Sequence, residues 1–271
     1  MTEASTFGAV VHPAGTGRRV LPARHDVAGI VFDYVDPAEL ARLVLDQARM
    51  GPGFCCVPNA HQCVEAYKDP DFRDAVNAAT FRFSDSKIVD LARRFLHGVP
   101  ALTTLYGPDL LLHVARAATS QGMRIGFFGG SEVTLLRLVD RLQAEIPGCR
   151  IGYAFSPPFG DLSALGDSGY ADAINRSGID ILFVGLGCPK QEWWMYRSHD
   201  FVRPFMLGVG AAFDFVAGTK RRSPRWIHPM GLEWLYRLFQ EPRRLWRRYA
   251  VFGPLFVWLV LSQKFGGTRR A

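Results

Sequence analysis

The segment "DILFVGLGCPKQEWW", Asp180 to Trp194, joins an apolar run to two glycines and then to Pro189, Lys190, Gln191 and Glu192. A run that ends in Gly185 and Gly187 lets the backbone come close to an anionic group. Lys190 and Gln191 would add a charge and an amide to the free N–H groups and positive dipole end of the helix that follows. Two other apolar runs end in the same way, "FFGG" at Gly129 and Gly130 and "LGVG" at Gly210. None completes G-x-G-x-x-G and no G-x-x-x-x-G-K-[ST] occurs, so each taken alone is a turn signal more often than a phosphate site. Asp85 closes "FRFSD" just before a helical pattern. That position suits a helix N-cap, or a general base held at the end of a strand. "DPD" at Asp69 to Asp71 has the form of an Asp-x-Asp metal site, but it too precedes a helical pattern that an aspartate would cap. The seven histidines contain no His-x-x-x-His pair, and there is no G-x-S-x-G nucleophile elbow.

A second kind of chemistry lies near the C-terminus. Arg221, Arg222, Arg225, Arg237, Arg243, Arg244, Arg247 and Arg248 are interleaved with Trp226, Trp234, Trp246 and Trp258. Anionic lipid surfaces reward this mixture: each basic residue gains about 1 kcal/mol near them, and Trp prefers the interface. Nucleic acid would reward the charges as well. The apolar run "FGPLFVWLVL" directly behind the arginines favours lipid, and no nucleic-acid partner is expected. An Arg-rich face in solvent and tryptophans in a core remain the structural alternatives.

These residues need elements to hold them. "VAGIVFDYV" is strand-like, and "DPAELARLVLDQARMG" predicts a helix with Asp36 as N-cap, Pro37 in its first turn and Gly51 past its end. "GFCCVPN" predicts a buried strand that stops at Pro58-Asn59. Helical patterns follow around Gln62 to Tyr67 and in "DPDFRDAVNAA", then the short strand "FRFSD" and the helix "SKIVDLARRFLHG". "RIGFFGG", "CRIGYAF", "IDILFVGLG" and "FMLGVG" read as further strands with helices between them. Strand and helix in alternation predict an α/β fold, a mostly parallel sheet with helices on both faces. Residues 1–27 read as a flexible leader, 28–218 as the α/β domain, and 219–271 as a basic, Trp-rich appendage of amphipathic helices.

Charge follows the same division. The 271 residues carry a formal +7, with pI ≈ 9.4. From Gly218 onward 12 Lys and Arg face 2 Glu, whereas the preceding residues hold 20 basic and 23 acidic side chains. A near-neutral body with a cationic tail implies an anionic partner for the tail. The five cysteines are odd in number and lack zinc spacing, which fits reduced thiols in a cytosol. The N-terminus has no signal-peptide core. The apolar run Tyr249 to Ser262 is broken by Gly253-Pro254 and is shorter than the roughly 20 residues a spanning helix needs. The expectation is a cytoplasmic protein, peripheral on the inner face of the membrane.

With "DILFVGLGCPKQEWW" and "GVGAAFDFVAGTKRRSPRWIHPMGLEWLYRLFQEPRRLWRRY" in order, the chain resembles the WecG/TagA/CpsF family of bacterial glycosyltransferases over about Ile30 to Tyr249. The resemblance implies a Rossmann-like fold. It also implies inverting transfer of a sugar from a UDP-sugar to a polyprenyl-diphosphate-linked acceptor in the assembly of exopolysaccharide or another surface polysaccharide; glucose, N-acetylmannosamine and its uronic acid are all compatible donors, and a hexose is the expectation. No metal and no cofactor are implied; the UDP-sugar is a substrate. The family's catalytic aspartate falls on Asp85 and its asparagine after the second strand on Asn59. Lys190, Gln191 and Glu192 match its Pro-Lys-Gln-Glu motif, and Arg237 its Glu-Trp-Leu-Tyr-Arg motif. Gly129, Gly130, Gly185, Gly187, Pro189 and Gly210 would complete the donor site. The tail arginines would grip the acceptor diphosphate or the membrane. Val57 stands where the family commonly has Thr, and Thr103 lies near an expected Arg; both bear on substrate identity.

Two other classes stay in view. A nicotinamide-dependent oxidoreductase would need a complete glycine fingerprint with an acidic residue about 20 positions later. A binding module without catalysis would depend on the arginines and not on Asp85. The tail can equally pack on a second copy of the chain.

Overall fold

A computed structural model describes residues 22–101, 106–158, 160, 168–222, 224, 236, 238–239 and 242–266. The described residues begin with a hairpin, β1 (Ala23–Val27) and β2 (Ile30–Tyr34), paired antiparallel as a separate two-stranded sheet. "VAGIVFDYV" is therefore not one strand. Ala28 and Gly29 both have positive φ, the backbone of a two-residue hairpin turn, and they break it in the middle. β1 also occupies residues expected to belong to the leader.

The main sheet has six strands in the order β4-β3-β8-β7-β5-β6, and all its pairings are parallel. They are β3 (Phe54–Cys56), β4 (Phe81–Arg82), β5 (Arg124–Gly129), β6 (Arg150–Phe155), β7 (Ile181–Gly185) and β8 (Phe205–Gly208). Alternate residues face opposite layers. Phe127, Ile181, Phe183, Phe205 and Leu207 point into one core with α1 (Pro37–Met50), α5 (Gly107–Ser120), α6 (Glu132–Glu145) and α9 (Ala212–Val216). Phe128, Leu182, Val184 and Met206 point into a second. That core is closed by α2 (Ala60–Lys68), α3 (Pro70–Asn77), α4 (Lys87–His97), α7 (Ser168–Arg176), α8 (Lys190–Ser198) and the hairpin.

Capping follows the local chemistry. Asp36 accepts the Ala38 and Glu39 N–H groups with Pro37 in the first turn of α1, and Asp69 accepts the Phe72 N–H of α3. Capping is therefore what "DPD" does through Asp69. Gly98, in left-handed conformation, ends α4.

A buried ion pair sets the position of β4. Asp33, 1% exposed, accepts the Arg82 backbone N–H at 2.8 Å and lies 3.2 Å from the Arg82 guanidinium. Arg82 also donates to the carbonyls of Val31, Asn77 and Ala79. With every polar group of the pair engaged, it clamps the hairpin to the strand that precedes Asp85; removing one partner would strand the other in the interior.

After β8 and α9 the described chain resumes with α10 (Pro242–Arg247), a π-helical turn at Arg248–Phe252 and α11 (Gly253–Phe265). α11 packs on α2 and α4, and its Phe256, Leu259 and Val260 are part of the second core. Its Gln263 donates to the Asp26 carbonyl and carboxylate and accepts the Ala28 N–H at 2.8 Å. The last described helix thus seals the body near its first described strand.

Candidate active site

Because the six strands are parallel, their carboxyl ends open on one edge, where α/β sheets bind ligands. Asn59 follows β3, Asp85 follows β4, and Gly129, Gly185 and Gly210 lie at the ends of β5, β7 and β8. β8 lies between β3 and β7, so Gly210 falls between Asn59 and Gly187.

Asp85 is half-buried. The N-cap of α4 is Ser86, so Asp85 does not occupy the capping position. Its carboxylate turns toward the start of α5: a Cβ placed on Gly107 would lie 3.4 Å from Asp85 Oδ2, 3.7 Å from the Val209 carbonyl and 3.8 Å from Ala212 Cβ. A carboxylate from the sheet's edge strand is thereby brought beside the end of its central strand and beside a helix N-terminus, which stabilises negative charge. Glycine at 107 leaves the space for this approach.

Behind the edge, a buried chain of hydrogen bonds joins three strand ends. The Asn59 N–H donates to Gln62 Oε1 at 2.9 Å, and the Asn59 side chain accepts the His61 N–H, forming a capping box on α2. Gln62 Nε2 donates to Glu192 Oε1 at 2.9 Å, and Gln191 Nε2 donates to the same oxygen at 2.8 Å. Gln191 Oε1 then accepts the Gly210 N–H at 2.9 Å. Glu192 is completely buried, and burial pushes its carboxyl above the usual range; hydrogen bonds from Gln191, Gln62 and Cys188 oppose the shift. The resemblance gives Gln191 and Glu192 to the donor site; here both side chains are enclosed, and their polar atoms tie α2, α8 and β8 together. Pro189 and Lys190 are exposed at the start of α8, with Lys190 Nζ donating to the Gly160 carbonyl at 2.8 Å.

The glycines divide by cause. At Gly129 (φ +114°) a Cβ would lie 2.6 Å from the Gly185 carbonyl carbon, and at Gly185 it would lie 2.5 Å from the Phe213 ring. Gly130 is held in left-handed conformation, donates to the Gly185 carbonyl at 3.1 Å and also faces Phe213. Neighbouring strand ends and one aromatic ring account for these three. Gly187 (φ +80°) has open space where a side chain would go, which is the arrangement a ligand's close approach requires.

The tail reaches this edge. Arg222 Nη2 lies 2.7 Å from Asp109 Oδ1 in the first turn of α5, two residues from Gly107. Arg221 and Arg243 are exposed. Arg244, Arg247 and Arg248 lie on the helical path Pro242–Phe252, and Arg225, Arg237 and Thr103 lie outside the described residues.

The sequence reading passed over Gln62, Gly107, Asp109 and Asp214. Asp214 accepts from Thr134 and Thr219 and pairs with Lys220 at 3.3 Å, a polar cluster behind the end of β8. Asn59-x-x-Gln62 is a legible capping-box pattern; Asp109 and Asp214 carry no local signal. Among the described residues no three His, Cys, Asp or Glu side chains converge as a metal-binding group.

An open parallel sheet with a carboxylate, a cationic helix start and a cleared glycine at its carboxyl edge is the frame on which α/β proteins bind ligands. The family model for the glycosyl transferase WecG/TagA/CpsF family matches residues 25–270, and the chain belongs to that family. The N-acetylglucosaminyldiphosphoundecaprenol N-acetyl-beta-D-mannosaminyltransferase of Bacillus spizizenii strain W23 is 29% identical over 242 residues, covering 86% of this chain and 90% of its own. The enzyme of the same name from Bacillus subtilis strain 168 is 29% identical over 200 residues, covering 73% and 75%.

Proposed function

We propose that the protein transfers a sugar from a UDP-sugar to a polyprenyl-diphosphate-linked sugar acceptor, with inversion and without a required metal, at the inner face of the membrane. The observation that carries the mechanism is the position of Asp85, turned inward beside Gly107 and the end of β8. Asp85 takes the proton of the acceptor hydroxyl as its oxygen attacks the anomeric carbon; the bond from that carbon to the UDP oxygen breaks on the opposite face. A single displacement needs one base and no protein nucleophile. The leaving diphosphate gathers charge, and the open Gly187 turn, the start of α8 and Lys190 offer donors and a cation to it. Arg222, fixed near the same edge by Asp109, supplies a guanidinium for the acceptor's diphosphate.

The relatives act on N-acetylglucosaminyl-diphosphoundecaprenol and transfer N-acetylmannosamine. We take the same acceptor class here, with a hexose or N-acetylhexosamine as the sugar moved. No described helix is long and apolar enough to cross a membrane, in keeping with attachment to its surface. The test is UDP release from a panel of UDP-sugars with a short-chain polyprenyl-diphosphate-sugar acceptor, with and without EDTA. Acceptor-dependent release from one donor, retained in EDTA, is the expected result. Release that needs a divalent ion removes the metal-free mechanism, and acceptor-independent release removes the transferase reading.

A further inference from the structure

The outer faces of α4 and α11 make one continuous apolar surface. Ile88, Leu91 and Phe95 are exposed at positions i, i+3 and i+7 of α4, while Val89 and Ala92 point into the core. On α11, Val257, Trp258, Leu261 and Phe265 are exposed, opposite buried Phe256, Leu259 and Val260. The two stripes meet where Phe265 stands edge-on to Phe95, ring centroids 6.1 Å apart, and Lys264 Nζ donates to the Leu96 carbonyl at 3.1 Å. At the other end Tyr67 of α2 meets Trp258 at 5.9 Å. Single exposed apolar residues are ordinary, but a patch that runs across three packed helices is the kind of surface that marks a contact.

The charges around it select the occupant. Asp90, the one acid on α4, is buried against Arg93, and residues 242–266 contain no acid. A carboxylate that touches α11, Asp26, is engaged by the Gly29 N–H and Gln263, and exposed Asp69, beside Tyr67 and Lys68, is engaged by the Phe72 N–H. Arg94, His97, Lys264, Lys68 and Arg243 are exposed on these helices and their neighbours. An apolar face with basic residues around it and Trp at its surface matches an anionic phospholipid interface. A second copy of the chain would bring like charges together.

We propose that α4 is the second half of a bilayer-contacting surface whose first half is α11, so that the catalytic domain itself lies on the lipid. The consequence for chemistry rests on the function proposed above. Asp85 lies two residues before α4, so a helix embedded at headgroup level holds the base at the height where a lipid-linked sugar projects.

The experiment is flotation of the full chain with phosphatidylcholine vesicles and with vesicles containing about 30% phosphatidylglycerol. The variants are Leu91→Gln/Phe95→Gln, Ile88→Gln, and Leu136→Gln, an exposed leucine on α6 across the sheet. All sites are exposed, and thermal unfolding checks each fold. Wild type and Leu136→Gln should bind the anionic vesicles alike. The double variant should bind at least about tenfold more weakly, with Ile88→Gln weakened in the same direction. Equal binding by the double variant overturns the proposal and leaves the tail as the sole anchor. So does a wild type that ignores vesicles but forms a dimer the double variant breaks. Vesicle binding without acceptor-dependent UDP release removes the proposed function and leaves the surface standing.

Discussion

Gln62 Nε2 and Glu192 Oε1 are 2.9 Å apart, 130 residues distant in sequence, and both side chains are buried. Their bond makes the helix after β3 and the helix after β7 parts of one frame, and Gln191 extends that frame to Gly210. Glu192 therefore braces this frame, and under the proposed function it acts as a positioning residue. Glu192→Ala leaves two amides without their acceptor, at a cost of about 1–3 kcal/mol. Thermal unfolding should show that loss, together with a raised donor KM, and Glu192→Gln should recover part of both.

The protonation of Glu192 makes a signed prediction. Burial raises its value in the fold above that of the unfolded chain. The native state then holds the proton more tightly, so this group's contribution is fully present below the unfolded value and is lost as pH rises through the folded one. Measured Tm against pH should fall across that window in the wild type, and Glu192→Gln should flatten this component. A wild-type Tm that rises across the same window, with Glu192→Gln unchanged in slope, would contradict it.

Asp85→Asn keeps size and hydrogen bonding but removes the proposed base. Turnover on the polyprenyl-linked acceptor should fall about a hundredfold to ten-thousandfold, with Tm and donor binding close to wild type. Full activity would place the base elsewhere.

The glycines separate packing from ligand approach. Gly185→Ala drives a methyl into the Phe213 ring and should cost about 1–3 kcal/mol of stability. Gly187→Ala meets no atom but strains the backbone, costing about 1 kcal/mol. If Gly187 admits the diphosphate, its variant loses more in donor KM than in Tm, and Gly185→Ala shows the reverse. The same KM-to-Tm ratio in both would remove the distinction.

Arg222 and Asp109 are each about a third exposed, so their pairing contributes at most about 1 kcal/mol after screening. Arg222→Gln should leave Tm nearly unchanged while lowering turnover on the diphosphate-linked acceptor at least about tenfold. A parallel loss in Tm and turnover would make the pair structural only. Point variants are the right tools: deletion from Gly218 would also remove Phe256, Leu259 and Val260 from the second core.

Much of the frame was legible because its signals are local. Asp36-Pro37, the Gly98 stop and the alternation of apolar runs each act within a few residues, and α1 and α4 form where their patterns lie. The hairpin was not, since one apolar run hid the turn at Ala28-Gly29. At the site, Asp85 and Asn59 fall on the predicted edge. The identity of Gln191 and Glu192 as a buried brace was invisible, because polar residues at a helix start look solvent-facing until their partners, Gln62 and Gly210, arrive from elsewhere in the chain. The packing roles of Gly129 and Gly185 likewise depend on Phe213 and on a neighbouring strand.

The Gln263 contact with Ala28, 235 residues apart, sets an order of events during synthesis. At about 5–20 residues per second, the ribosome needs on the order of 10–50 s to deliver the last helix after the hairpin has emerged. Until then the apolar ground that Phe256, Leu259 and Val260 will cover stays open on α2, α4 and the hairpin. A nascent chain halted before Gly253 therefore presents that ground to chaperones, and release of the full chain closes it.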